Sequence, residues 1–246
     1  MTKWILASAS PRRRELLQQM GIRDYTVIPA KGEERSLAAD PGSYVEELAR
    51  HKATEVFRRI QADPSAAGGS ADAEGPAQAT GARGRRSRAG GSADTGGPAA
   101  AGPSAGPGGS DGICVIGADT IVVCGGEILG KPTDREDAAR MIRSLQGRGH
   151  EVMTGVSLIL NGAAGSGDGL ICTDTFHVTT AVHVAPMDEE EIARYLATGE
   201  ADDKAGAYGI QGTFGTFIEG IEGDYYNVVG LPIAALYRTL KRRHLL

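Results

Sequence analysis

The chain has 246 residues, with 26 Lys and Arg against 31 Asp and Glu, a formal net charge of -5 and a pI near 5.6. That balance argues against an electrostatic nucleic-acid binder, yet it still allows a local basic pocket for a polyanionic small molecule. No run approaches the roughly 18 apolar residues of a membrane span, and Arg12, Arg13 and Arg14 follow Met1 too closely for a signal peptide.

Lys3–Ser8 reads as a strand, after which Ser10 can cap a helix with Pro11 at its first position, running to Met20 and stopped by Gly21. Tyr25–Pro29 is a short strand. Asp40-Pro41 opens a long amphipathic helix in which Val45, Leu48, Ala49, Ala53, Val56, Phe57 and Ile60 recur at helical spacing. Residues 63–112 contain no Leu, Ile, Val, Met, Phe, Tyr or Trp, and a basic knot at Arg83, Arg85, Arg86 and Arg88 is nearly cancelled by Asp72, Glu74, Asp94 and Asp111. Such a segment cannot bury enough apolar surface to offset its ordering entropy. A disordered insertion is therefore expected within one folded domain made of residues 1–62 and 113–246.

Ile113–Val123 is a buried-type strand ending at a Gly125-Gly126 turn, and a helix follows from Asp134 to Gln146. Glu151–Leu160 and Leu170–Val184 pair as a hairpin, and Pro186 and Asp188 start a helix that ends at Gly199. Thr213–Glu219 and Tyr225–Val229 read as the last strands, before a closing helix from Leu231 to Arg243. Strands and helices interleave irregularly, and the later strands look antiparallel, so the expected class is α/β or α+β with a mixed sheet and flanking helices. Cys114, Cys124 and Cys172 are an odd number without metal-ligand spacing; they read as buried free thiols, which makes the cytosol the expected compartment.

Four places carry candidate chemistry. In Ser8-Ala9-Ser10-Pro11-Arg12-Arg13 a strand ends, hydroxyls line the turn and a helix begins with arginines, a combination suited to an anion. In Gly117-Ala118-Asp119-Thr120 an acid lies within an apolar strand, where burial is costly unless it meets a metal, a charge or a reacting water. Gly125 to Lys131 spells the start of a P-loop, but Pro132 stands where a Ser or Thr must hold magnesium, so an ATPase loop is excluded and Lys131 is kept as a phosphate ligand. Finally, Asp203–Gly212 is glycine-rich, and its Gln211 offers a donor and an acceptor to a base edge. None of the five histidines fits a nucleophile or zinc pattern.

Taken in order, Leu6-Ala7-Ser8-Ala9-Ser10-Pro11-Arg12-Arg13-Arg14-Glu15-Leu16-Leu17, then Gly117-Ala118-Asp119-Thr120, then Gly130-Lys131-Pro132, resemble the Maf proteins. Asp203–Gly212 and Val228-Val229-Gly230-Leu231-Pro232 look like the branch acting on dTTP and UTP, and only residues 63–112 depart from the family pattern. The resemblance implies an elongated α/β fold shared with the inosine-triphosphate pyrophosphatases, with two lobes around a deep cleft, often as a homodimer. It implies hydrolysis of a nucleoside triphosphate to the monophosphate and pyrophosphate, with Mg²⁺ or Mn²⁺ as cofactor. By the same match Asp119 is general base and metal carboxylate, and one acid of Glu33-Glu34, with Glu34 favoured, joins it at the cation. Arg12, Thr120 and Gln211 match positions tied to base selection, while Ser8, Arg13, Lys52, Lys131 and Lys204 face the phosphates. The alternative is a non-catalytic regulator of cell division that binds nucleotide or nucleic acid, in keeping with the family's septum-formation name.

Overall fold

A computed structural model describes residues 2–32, 36–68, 112–161 and 171–246. Strand β1 (Lys3–Leu6) runs parallel to both its neighbours, β2 (Tyr25–Val27) and β3 (Ile113–Cys124). On its other side β3 pairs antiparallel with β5 (Gly149–Asn161), which pairs with β6 (Ile171–Val184), which pairs with β7 (Ile218–Glu222). A short strand, β4 (Glu127–Leu129), folds back on the far end of β3, completing a seven-stranded mixed sheet. The helices are α1 (Pro11–Gln19), α2 (Pro41–Ala62), α3 (Arg135–Leu145), α4 (Glu189–Leu196), α5 (Tyr225–Val229) and α6 (Ile233–Arg242). The expected α/β class with a mixed sheet and flanking helices is the one observed.

Local chemistry starts the helices where the sequence places them. Asp40 accepts from the Ser43 amide ahead of α2, Asp134 accepts from the Asp137 amide ahead of α3, and Asp188 forms a reciprocal capping box with Glu191 ahead of α4. All seven apolar positions expected to face inward from α2 are buried. Ser10 departs from expectation. Its side chain makes no capping bond, and its amide instead donates to Ser8 Oγ at 3.3 Å.

Two other segments differ from the sequence reading. Tyr225–Val229 is a helix, because Asp224 accepts from the Tyr226 backbone amide and the Asn227 side chain donates back into the sheet. Those tertiary bonds override the strand preference of an apolar, β-branched run. Thr213–Glu219 divides into a 3₁₀ turn, Thr213–Phe217, and the start of β7. Within the segment expected to be an insertion, Pro64–Gly68 forms a 3₁₀ turn, Ala67 is buried in the cluster with Ile5, Ile28 and Phe57, and its carbonyl accepts from Thr26 Oγ1 at 3.4 Å. A methyl group suffices to fill that space. Residues 69–111, the rest of that expected segment, lie outside the described residues, as do Glu33 and Glu34.

Alternation along β3 separates two faces. Val115, Gly117, Asp119, Ile121 and Val123 face α2, while Cys114, Ile116, Ala118, Thr120, Val122 and Cys124 face away from it. Helix α2 lies unusually close to the sheet because Gly117 and Gly155 have no side chains. A Cβ at Gly117 would sit 2.4 Å from the Ala49 carbonyl oxygen, and one at Gly155 would sit 2.3 Å from that of Val45. On the α2 face, Asp119 lies between a cluster containing Val115 and Phe57 and one containing Ile121 and Val45. On the opposite face, Thr120 lies between a cluster containing Ile116, Leu17 and Leu236 and another containing Val122, Ile142 and Phe214. Each polar residue therefore occupies a seam in the apolar core on its own face. Cys114 and Cys124 are buried and free, and burial, with a smaller contribution from the Asp174 charge, pushes the Cys114 thiol up to about 12. The side chain of Cys172 is outside the described residues.

Candidate active site

The site forms at a gap in the sheet edge. β1 pairs with β3 as far as Ile116, where the Ala7 amide still donates to the Ile116 carbonyl at 2.8 Å, and β4 takes up pairing only at Val122. Between these points, among the described residues, no strand covers the side of β3 opposite β5. Asp119 and Thr120 lie in this notch, side chains on opposite faces, within reach of a ligand entering at the edge.

On the α2 face, Lys52 Nζ lies 2.5 Å from Asp119 Oδ1, with side chains 16% and 11% exposed. A pair this enclosed is costly to desolvate and holds only with good geometry, which the close approach of α2 at Gly117 supplies. Lys52 also borders a cavity of about 720 Å³ whose lining includes Lys31, Arg58 and Arg59. Glu55, beside it, accepts from the amides of Lys31 and Gly32. This cationic surface suits a polyanion.

On the other face Arg13 acts as a clamp. Its Nε donates to the Gly230 carbonyl at 2.8 Å, its Nη1 to Ser8 Oγ at 3.0 Å and its Nη2 to Thr120 Oγ1 at 3.0 Å. Thr120 continues inward: its hydroxyl lies 3.0 Å from Thr154 Oγ1, directly across the β3–β5 ladder. Thr154 donates to the Asn227 backbone carbonyl at 2.9 Å, and the Asn227 side-chain Nδ2 donates to the Val152 carbonyl and to Thr180 Oγ1.

Two loops complete the surroundings. The Gly206 amide donates to the Gly130 carbonyl at 2.9 Å, joining the Gly130-Lys131-Pro132 and Asp203–Gly212 segments beside Val122. Lys131 and Gln211 are exposed on these loops. Burial pushes the Asp203 carboxyl up, but the Lys204 ammonium bonded to it and the nearby Arg12 guanidinium outweigh this and hold it below the ordinary carboxylate value. Lys204 is thus paired with Asp203, and the Arg12 charge acts on the same carboxylate. The loop itself is anchored by aromatic residues: Tyr195 donates to the Ala207 carbonyl at 3.0 Å, and Tyr208 stacks on Phe214 and bonds His150 Nε2 at 2.7 Å.

The structure therefore brings Ser8, Arg13 and Thr120 into direct contact and Lys52 onto Asp119, while Glu34 is not among the described residues. Sequence reasoning did not single out Thr154 and Asn227, and it gave Asp203 no role beyond opening the glycine-rich segment. A signal for the first two was present, since each is a polar residue inside an apolar run, the same mark that singled out Asp119. Among the described residues no group of three or more His, Cys, Asp or Glu could hold a metal ion, and no helix is long and apolar enough to cross a membrane.

These features define an α/β protein with a cationic site built into a gap in a mixed sheet, around an enclosed acid–lysine pair. The Maf-like protein family matches residues 3–243, and the chain belongs to that family. It is 42% identical over 242 residues to a dTTP/UTP pyrophosphatase of Agathobacter rectalis, covering 98% of each chain. It is 41% identical over 239 residues to a protein of that name from Koribacter versatilis, covering 97% of this chain and 93% of the relative. A dTTP/UTP pyrophosphatase of Thermococcus kodakarensis is 39% identical over 234 residues, covering 95% of this chain and 93% of its own.

Proposed function

We propose that this protein hydrolyses dTTP and UTP between the α and β phosphorus atoms, giving the nucleoside monophosphate and pyrophosphate. The name shared by its relatives supports the reaction. The observation that carries it is the Asp119–Lys52 pair, an acid beside a cationic cavity and opposite a hydroxyl suited to a base. The substrate straddles the notch, with its phosphates on the α2 face and its base on the Thr120 face.

Asp119 orients a water and takes its proton as the water oxygen attacks the α phosphorus. The bond from that phosphorus to the bridging oxygen breaks, and pyrophosphate leaves. Lys52, at the cationic cavity on the α2 face, balances the charge that moves onto the leaving group. A magnesium-type ion needs only one or two protein carboxylates when phosphates and water complete its shell, so Asp119 alone among the described residues fits such an ion. Glu34 is the second acid we assign to it. When bound, the ion neutralises phosphate charge. A regulator that binds nucleotide without turnover has no use for a carboxylate beside anionic phosphates, so catalysis is the better reading.

The test is a panel of dTTP, UTP, CTP and GTP with Mg²⁺ or Mn²⁺, assayed for pyrophosphate and orthophosphate separately. Pyrophosphate with the monophosphate, fastest from dTTP and UTP, is the expected result. Orthophosphate as the product, or no turnover of any of the four, would overturn the reading.

A further inference from the structure

We infer that Thr154 is a positioning residue for base selection, because it fixes the direction of the proton on Thr120. A hydroxyl has one proton to donate, and the partners of these two hydroxyls leave a single consistent arrangement. The Asn227 carbonyl can only accept, and at 2.9 Å from Thr154 Oγ1 it must receive the Thr154 proton. The opposite orientation would set two lone pairs against each other at a site with no exposure to solvent. Thr154 has therefore no proton left for Thr120, and the 3.0 Å contact between them requires Thr120 to donate. Arg13 can only donate, so its Nη2 contact at 3.0 Å uses one lone pair of Thr120 Oγ1. What Thr120 offers a ligand is its one remaining lone pair.

An acceptor-only hydroxyl repels a phosphate oxygen, which is itself an acceptor, and it matches the N–H of an imide. Uracil and thymine carry such a donor at N3, where cytosine carries a bare acceptor. The chain from Arg13 through Thr120 and Thr154 to the Asn227 backbone thus discriminates at the N3 position, with Thr154 acting at one remove from the base. The inference rests on the reading that the protein hydrolyses pyrimidine triphosphates.

The experiment measures kcat/KM for UTP and CTP in the parent, T154V and T154S. Removing the hydroxyl frees the Thr120 proton to meet the cytosine N3. The UTP-over-CTP ratio should then fall about ten-fold, through faster CTP turnover more than slower UTP turnover. T154S keeps the acceptor and the parent's ratio. A purely structural lesion slows both substrates and cannot produce the gain with CTP. If T154V does not fold, T154A is read in the same way, since a water filling the space has no fixed proton direction. An unchanged ratio in a folded variant, or equal slowing of both substrates, overturns the role of Thr154 and leaves the function standing. A parent that hydrolyses neither substrate removes both.

Discussion

The two faces of β3 at the notch hold adjacent polar residues by different means. On the α2 face, Asp119 is placed by backbone packing: two glycines let a helix settle against the sheet, and the helix delivers Lys52 to the carboxylate. On the opposite face, Thr120 is placed by a chain of hydrogen bonds that leaves one consistent direction for its proton. An ion pair depends on distance and enclosure and only weakly on proton direction. A hydroxyl chain has a direction, and direction is what distinguishes one base edge from another. The comparison teaches that a single strand can hold two polar groups on opposite faces, which under the proposed mechanism divides reaction from recognition.

The sharpest test of that separation is Asp119→Asn. It should lower kcat by about 10²-fold or more for every accepted base while leaving the preference among bases and the thermal midpoint close to the parent's. Steady-state kinetics on dTTP and UTP with a melting curve decide it, and near-normal turnover in the folded variant would remove Asp119 from the reaction.

A smaller effect is expected from acid, and it acts on the recognition side. Burial, with His183 contributing less, pushes the His150 imidazole down to about 4 from 6.5. The unfolded chain therefore takes up a proton that the fold does not, so stability falls as pH drops below the ordinary imidazole value and continues to fall to about pH 4. The linked loss is of the order of 3 kcal/mol. His150 holds Tyr208 at the base of the loop bearing Lys204 and Gln211. His150→Gln, which cannot titrate, should flatten the urea-measured stability between pH 6.5 and 4. An equally steep acid loss in that variant would assign the effect to other groups.

Gly155→Ala addresses the packing side, with the smallest expected loss. Its methyl group would press on the Val45 carbonyl and force α2 outward, costing about 1–3 kcal/mol of stability. Because Lys52 moves with the helix, kcat should fall while the UTP-over-CTP ratio holds. A change confined to the ratio would mean that the two faces are not independent.

Much of this was readable from the residues in order. Asp40, Asp134 and Asp188 mark helix starts, the apolar spacing after Asp40-Pro41 defines the buried face of α2, and an acid in the run Ile113–Val123 flags the enclosed pair with Lys52. These signals are local, carried by a cap and its amide three residues on, or by the period of a helix or strand. What only the tertiary structure decided involves partners far apart in the chain. Arg13 clamps a carbonyl 217 residues away, and Thr154 meets Asn227 across 73. Tyr225–Val229 became a helix because Asn227 had bonds to make with strands that no local propensity can foresee. Proton direction on Thr120 is further still from the sequence, since a hydroxyl's role is set by what its neighbours can accept, and only folding supplies those neighbours.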